Sequence, residues 1–441
     1  MSNELTRVIE DRPMTPFQIS AVGICLVLNM LDGFDVLAIA FTAPGISEEW
    51  NVSPQSLGLL FSAAPIGMAL GALFLGPVAD KIGRRSTVLL CLGIITVGML
   101  CSALTNGVNQ LFFFRVFTGL GIGGILPSLN TIVAEYSSNR RRDLSISFMH
   151  VGYPIGAAIG GSISAVLLLQ YGWRSVFVLG GVMSALMLLV VYWRLPDSLD
   201  FLLAKQPKNA LEKINRVLAG LKHQALTEVP ARNDEEQQRS VGVAFVLSDK
   251  MRVSSLLLWS AFFLTLFSMF FLQSWIPQIL VGAGFSANEG ITASVFFSFG
   301  GVAGGLALGY ASVWFGLGTR VRVFLFMTAV FMVAFVIFNL GYLFLLACAA
   351  VIGFFVFGSI IGLYAVAPRI YPTAVRATGI AWGIGIGRLG AIAGPYTAGI
   401  LIGSGFSITF SFVFFATILL LAMLAMFFLN VPTIEGDSGR R

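Results

Sequence analysis

The sequence predicts an all-α membrane protein with twelve transmembrane helices in two pseudo-symmetric six-helix bundles, on three observations. Only 11% of the 441 residues are charged while 57% are hydrophobic, against about 25% charged in a soluble domain. Most apolar residues fall in blocks of ~20 between short polar breaks, the length a helix needs to cross a ~30 Å hydrocarbon core; the ~10-residue alternating segments of a membrane barrel are absent. The longest polar interval, Arg194 to about Val253, leaves six such blocks on either side.

In chain order the spans are expected at 17–44, 55–79, 86–105, 109–133, 144–168 and 174–193, then 254–281, 287–312, 320–340, 342–367, 378–402 and 408–430. Residues 1–193 form the first bundle, 194–253 a linker and 254–441 the second bundle. This threading gathers Arg7, Arg12, Lys81, Arg84, Arg85, Arg140 to Arg142, Arg320, Arg322, Arg369, Arg376, Arg440, Arg441 and the basic residues of the linker on one face. Short basic loops remain cytoplasmic during insertion, so that face and both termini are expected inside. The net charge of +6 therefore marks topology, and no nucleic-acid partner is expected. Arg174 alone among Lys and Arg falls outside, and Arg115 and Arg388 lie within the membrane, where a permanent charge costs at least ~2.5–3.5 kcal/mol and marks a polar pathway. Within the linker, Ala210, Leu211, Ile214, Val217, Leu218 and Leu221 recur at helical spacing, as in an amphipathic helix along the inner face. Around Pro230 to Arg239 a polar, flexible stretch is expected.

Cys25, Cys91, Cys101 and Cys348 sit in apolar blocks without metal-ligand spacing, so neither disulfides nor a zinc site are expected. A long first span without a small-residue cleavage site predicts an uncleaved N-terminus. No phosphate-binding loop, nucleophile elbow or metal cluster is present in the sequence; no enzyme activity and no cofactor are expected. A shift of about 233 residues lays Gly76 on Gly309, Gly83 on Gly316, Gly152 on Gly385 and Gly161 on Gly394, as a duplicated bundle requires.

Between spans two and three runs Gly76-Pro-Val-Ala-Asp80-Lys81-Ile-Gly83-Arg84-Arg85. Its glycines permit a tight turn, Asp80 suits a helix N-terminus, and Arg84 and Arg85 can hold a carboxylate across the inner mouth. This loop resembles the signature of the major facilitator superfamily, which implies that superfamily's fold and a latch on the inner gate. At the shifted positions Val313 and Trp314 replace Asp80 and Lys81, so the second latch has decayed. Span one carries Leu31-Asp32-Gly33-Phe34-Asp35, with two carboxyls on one helix face. Leaving both ionised away from water is costly, so one is expected to take and release a proton; structural acids satisfied by Arg115 or backbone are the alternative. Followed by Ala-Pro44, this motif is similar to that of the aromatic acid:proton symporter family.

Span four contains Arg115-Val-Phe-Thr-Gly119-Leu-Gly121-Ile-Gly123-Gly124. Because spans one and four run in opposite directions, Arg115 and Asp35 are expected at similar depth and able to pair. The resemblance links this arginine to proton coupling; the alternative is a static pair that fixes helix contacts. Glu135, at the inner end of span four, is read by resemblance as a gate partner or else as a helix-end carboxylate. Tyr371-Pro372-Thr-Ala-Val-Arg376 leads into Gly385-Ile-Gly387-Arg388-Leu-Gly390 and Gly394-Pro395, both similar to the family. Arg376 is assigned to the inner gate or to helix capping. Arg388 is the candidate for a substrate carboxylate, since its planar fork makes two parallel hydrogen bonds, unless it is bonded to carbonyls of a broken helix. Trp275, Trp382 and Phe34 are the flat walls an aromatic ligand would want, and His150 is a further proton-relay candidate.

The resemblance implies a monomeric, multi-pass transporter of a bacterial inner membrane, importing a hydroxybenzoate-type carboxylate with a proton by alternating access. Its partners are that acid, the proton and the lipid bilayer. Three alternatives stand: a symporter of a small dicarboxylate such as muconate, separated by substrate competition; a transporter-like sensor, against which the absence of a signalling domain speaks; and an efflux antiporter.

Overall fold

The computed structural model describes residues 14–138, 141–207, 209–229, 246–248, 251–310, 316–338, 341–372 and 375–431. Arg7, Arg12, Arg140, Val313, Trp314, the stretch from Pro230 to Arg239, Arg440 and Arg441 lie outside the described residues. Fifteen helices follow among the described residues. They are α1 (Pro16–Trp50), α2 (Pro54–Phe74), α3 (Gly76–Ile82), α4 (Arg84–Ala103), α5 (Val108–Tyr136), α6 (Arg142–Tyr171) and α7 (Arg174–Arg194). The short α8 (Leu199–Lys205) and α9 (Ala210–Gly220) come next, then α10 (Arg252–Gly282), α11 (Ala287–Tyr310), α12 (Leu317–Ile337), α13 (Tyr342–Ile370), α14 (Arg376–Gly403) and α15 (Ile408–Phe428). Eleven are long and apolar enough to span a membrane, α3 continuing α2. The glycine-rich α14, at 28 residues, has the length for a twelfth at 1.5 Å rise per residue.

Helix starts follow local chemistry. Thr15 and Gln18 exchange hydrogen bonds at the head of α1, Ser286 and Glu289 at the head of α11, and Ser407 caps α15 through Phe410 N; each satisfies amides that would otherwise be orphaned. Proline sits inside α1, α2, α5, α6, α10, α13 and α14. Neighbouring helices make it tolerable there.

The helices group into two compact units. One comprises Met1–Val36, Ile66–Gly156 and Arg174–Gln238, and the other Leu37–Pro65, Ala157–Trp173 and Arg239–Arg441. In the first unit α4 lies against α5 and α7; in the second its counterpart α12 lies against α13 and α15. A shift of 233 also carries Gly67 and Gly71 of α2 onto Gly300 and Gly304 of α11. In each pair an added Cβ would meet a backbone carbonyl oxygen of the next-but-one span at 1.8–2.0 Å. With lipid as apolar as the helices themselves, such close backbone approach is what holds spans together.

The first unit also holds an apolar cluster in which Ile214, Val217 and Leu218 of α9 join Tyr136, Leu195 and Leu199. The amphipathic linker helix is thus seated on the bundle by its apolar stripe. In the second unit, the α2 segment Pro54–Pro65 lies against α14. A Cβ on Gly58 would come 2.8 Å from the Pro395 carbonyl oxygen, Ser62 Oγ donates to the Ile392 carbonyl at 2.7 Å, and the ring of Phe61 meets Trp275 edge-on at 5.2 Å.

Candidate functional site

In the first unit, α1 buries the acid pair: Asp32 is 4% exposed and Asp35 fully enclosed. The glycine between them is a steric requirement. A Cβ on Gly33 would lie 2.0 Å from the main-chain oxygen of Tyr153 on α6, and one on Gly156 would lie 1.8 Å from that of Met30. Asp35 and Phe34 turn instead toward α7, where Gly180 leaves them room; an added Cβ there would sit 3.0 Å from Asp35 Oδ1.

Arg115, enclosed on α5, does reach Asp35, but by a different atom from the one expected. One guanidinium nitrogen donates to the main-chain carbonyl of Asp35, another contacts the Met99 sulfur at 3.0 Å, and the group lies 5.6 Å over the Phe177 ring. Neither carboxylate oxygen of Asp35 has a hydrogen-bond partner among the described residues. The expected ion pair is therefore not formed, because the carboxyl points to α7 while the arginine approaches the α1 backbone. His150 Nε2 is 3.0 Å from Asn130 Oδ1, a contact between α6 and α5.

The signature loop turns at Gly83, whose φ of 94° falls in the left-handed region glycine alone adopts freely. A Cβ there would also meet Phe201 at 2.8 Å and Asp197 Oδ1 at 3.1 Å. Asp80 and Arg84 form an ion pair at 2.6 Å. Arg85 donates to the Tyr192 carbonyl and lies 5.7 Å over that ring, and its amide reaches Asp197 Oδ1 at 3.4 Å. Glu135 accepts from Ser198 Oγ at 2.7 Å, and Tyr136 OH donates to the Asp197 carbonyl at 2.6 Å. Gly83, Arg84, Arg85 and Glu135 thus gather about the segment opening the linker, whose Asp197 and Ser198 the sequence reading missed. A signal was present: Ser198 precedes an apolar turn and caps α8 by accepting from Phe201 N at 3.0 Å. An added Cβ on Gly76 would meet nothing within 4 Å. Arg376, in the second unit, donates to the Tyr371 carbonyl at 3.3 Å, which braces the turn before α14.

The remaining candidates also lie in the second unit. Arg388 on α14 is within electrostatic range of Tyr364 on α13; Tyr364, 41% exposed, is tilted against Phe262 at 5.4 Å. Trp382, 46% exposed, stacks on Trp259 at 6.0 Å, and Trp259 Nε1 donates to the Gly379 carbonyl at 3.3 Å. Together these supply a cation, a phenol and the open indole of Trp382, backed by the buried Trp259, on three helices. Tyr364 and Trp259 were not legible as site residues in a chain with 39 phenylalanines. Trp275, by contrast, is 2% exposed and donates to the Pro395 carbonyl at 3.0 Å, so its faces are occupied by protein.

Repeated six-helix halves with ionisable side chains buried inside the spans define a multi-pass membrane transporter. The sequence profile described as Major Facilitator Superfamily matches residues 25–382. The chain is 34% identical over 411 residues to the 4-hydroxybenzoate transporter PcaK of Pseudomonas putida, covering 92% of this chain and 91% of that one. It is 30% identical over 405 residues to the gallate transporter of the same organism, covering 92% and 90%. Among solved structures, the xylose transporter XylE from E. coli in a partially occluded inward-open conformation superposes with a TM-score of 0.74 at 16% identity, over 94% of this chain and 98% of that one. The chain therefore belongs to the major facilitator superfamily and, within it, to the aromatic acid:proton symporter family, a family of transporters and not of enzymes.

Proposed function

We propose that the protein carries a hydroxylated aromatic carboxylate, of the 4-hydroxybenzoate or gallate kind, inward across a bacterial inner membrane together with a proton. The observation that carries this reading is the grouping of Arg388, Tyr364, Trp382 and Trp259. A guanidinium binds a carboxylate through two parallel hydrogen bonds, the open face of Trp382, backed by Trp259, suits a flat ring, and a phenol is a partner for a ring hydroxyl. Asp35 is the proton site in this reading. A buried carboxylate with no donor at either oxygen is costly as an anion, and a proton removes that cost.

In the same proposal, residues 1–193 and 254–441 are the two bodies that rock, both termini are cytoplasmic, and a monomer suffices. The contact of Gly58 with Pro395 and Gly399 then serves as the outer gate in its shut state. Gly83, Arg84, Arg85 and Glu135 act with Asp197 and Ser198 at the inner mouth, and Arg115 holds the α1 backbone in register as Asp35 changes its charge.

Uptake of radiolabelled 4-hydroxybenzoate into proteoliposomes, with and without an inward proton gradient, tests this. Wild type should accumulate label only with the gradient. Asp35→Asn should lose accumulation while retaining exchange down a gradient of label, and Arg388→Ala should lose both. Gradient-independent accumulation by wild type, or full accumulation by Arg388→Ala, sinks the reading.

A further inference from the structure

At the end of the second unit where α12 begins and α13 and α15 end, a cavity of about 410 Å³ opens. Among the described residues two arginines line it, Arg322 and Arg369, and no acidic residue does. Arg322 is held in place: its guanidinium donates to Thr319 Oγ1 at 2.8 Å and lies 5.4 Å over the Phe427 ring. Among the described residues neither arginine has a carboxylate within ion-pair distance. Beside the arginines the lining carries Met426, Phe427 and Phe428; the two phenylalanines, at the end of the apolar α15, are 63% and 66% exposed.

We propose that this cavity is a binding site for the phosphate headgroup of an anionic phospholipid, whose acyl chains run along Phe427 and Phe428. Basic side chains that only fix topology need no cavity and no fixed rotamer. Here two guanidinium groups converge on a recess far larger than the ~30 Å³ share of one water, and one is pre-positioned by a hydroxyl and a ring. Guanidinium groups grip phosphate bidentately, and basic pockets between membrane helices at the headgroup level select anionic lipids. The exposed rings of Phe427 and Phe428 beside the arginines favour a headgroup that brings chains with it over a free anion, which would leave both rings unserved. Because α12, α13 and α15 meet here, an occupied site ties three spans of one half together. Arg388 is not among its lining residues, so it belongs to a regulatory or stabilising lipid and not to the cargo.

The test uses the full-length purified protein. Native mass spectrometry after exchange into mixed micelles of phosphatidylglycerol and phosphatidylcholine should show selective retention of phosphatidylglycerol by wild type. The Arg322→Gln/Arg369→Gln double variant should weaken that retention about tenfold or more, the scale of losing charge-assisted hydrogen bonds. Arg216→Gln, which removes an exposed arginine paired with Glu212 elsewhere, should leave it unchanged. Should the double variant fail to purify as a monodisperse species, Arg322→Lys is measured instead; it keeps the charge, loses the fork, and should still bind several-fold more weakly. Equal retention of both lipids by wild type, equal retention by wild type and variant, or inorganic phosphate raising the melting temperature as much as phosphatidylglycerol does would each overturn the proposal.

Discussion

Gly33→Ala is the most direct probe of how α1 is seated. The new Cβ would lie 2.0 Å from the Tyr153 main-chain oxygen, and ordinary contact begins at 3.4 Å, so α1 and α6 must part by 3.4 − 2.0 = 1.4 Å at that level. Backbone cannot yield as a flexible side chain does. Overpacking of this kind costs about 1–3 kcal/mol, set against a gain of roughly 0.5–1 kcal/mol from helix propensity. Gly23→Ala on the same helix supplies the control, because nothing lies within 4 Å of its added Cβ. In a fluorescence-based melting assay in detergent, Gly23→Ala should match or exceed wild type while Gly33→Ala melts lower. Uptake should separate them further, since a displacement of ~1 Å in a reacting or binding group can cost about 10²-fold and Asp32 and Asp35 flank the site of insertion. A Gly33→Ala protein that melts and transports like wild type would show that α1 and α6 are not in backbone contact, and the account of the acid pair's placement would fail.

The linker and the aromatic residues yield two more tests. Ser198→Ala removes both the α8 cap and the hydrogen bond to Glu135, at about 0.5–2 kcal/mol for the cap. Amide hydrogen exchange across Leu199–Lys205 should quicken by roughly the tenfold that ~1.4 kcal/mol represents, and unchanged exchange would detach this segment from the latch. Trp382→Ala should weaken 4-hydroxybenzoate binding several-fold, in line with ~0.5–1.5 kcal/mol for an aromatic contact, without lowering the melting temperature. Trp275→Ala should do the reverse and destabilise by about 3–5 kcal/mol. Equal effects of the two on binding would refute the division between an open and an enclosed indole.

The spans were legible because apolar blocks and near-absent charge are one-dimensional signals; the expected 109–133 and 287–312 lie beside Val108–Tyr136 and Ala287–Tyr310. The first span shows where the signal failed. Ala-Pro44 read as its outer end, yet α1 runs on to Trp50, since a proline inside a membrane helix is accommodated by its neighbours and need not terminate it. Depth was legible too, as opposed helix directions brought Arg115 to Asp35, but which atom the guanidinium meets depends on where the carboxyl turns. That is set by Gly180, 145 positions further on. The enclosure of Trp275 likewise depends on Phe61 and Pro395.

The least legible contact bears most on mechanism. Ser62 bonds to a carbonyl 330 positions away, beside the facing glycines Gly58 and Gly399. No periodicity within either segment announces this. In a bilayer there is no hydrophobic drive between helices, and an interhelical hydrogen bond averages only ~0.6 kcal/mol. A seam of small residues with a single hydroxyl bridge therefore brings α2 and α14 together closely while adding little that would have to be broken to part them. The contacts that seat α1 on α6 and α2 on α5 are tighter: an added Cβ at Gly33, Gly156, Gly67 or Gly71 would lie 1.8–2.0 Å from a main-chain oxygen, against 2.6–2.8 Å at Gly399 and Gly58. On the function proposed above, that difference in how closely the backbones approach is why the α2–α14 seam is the one expected to open while the α1–α6 and α2–α5 contacts stay closed.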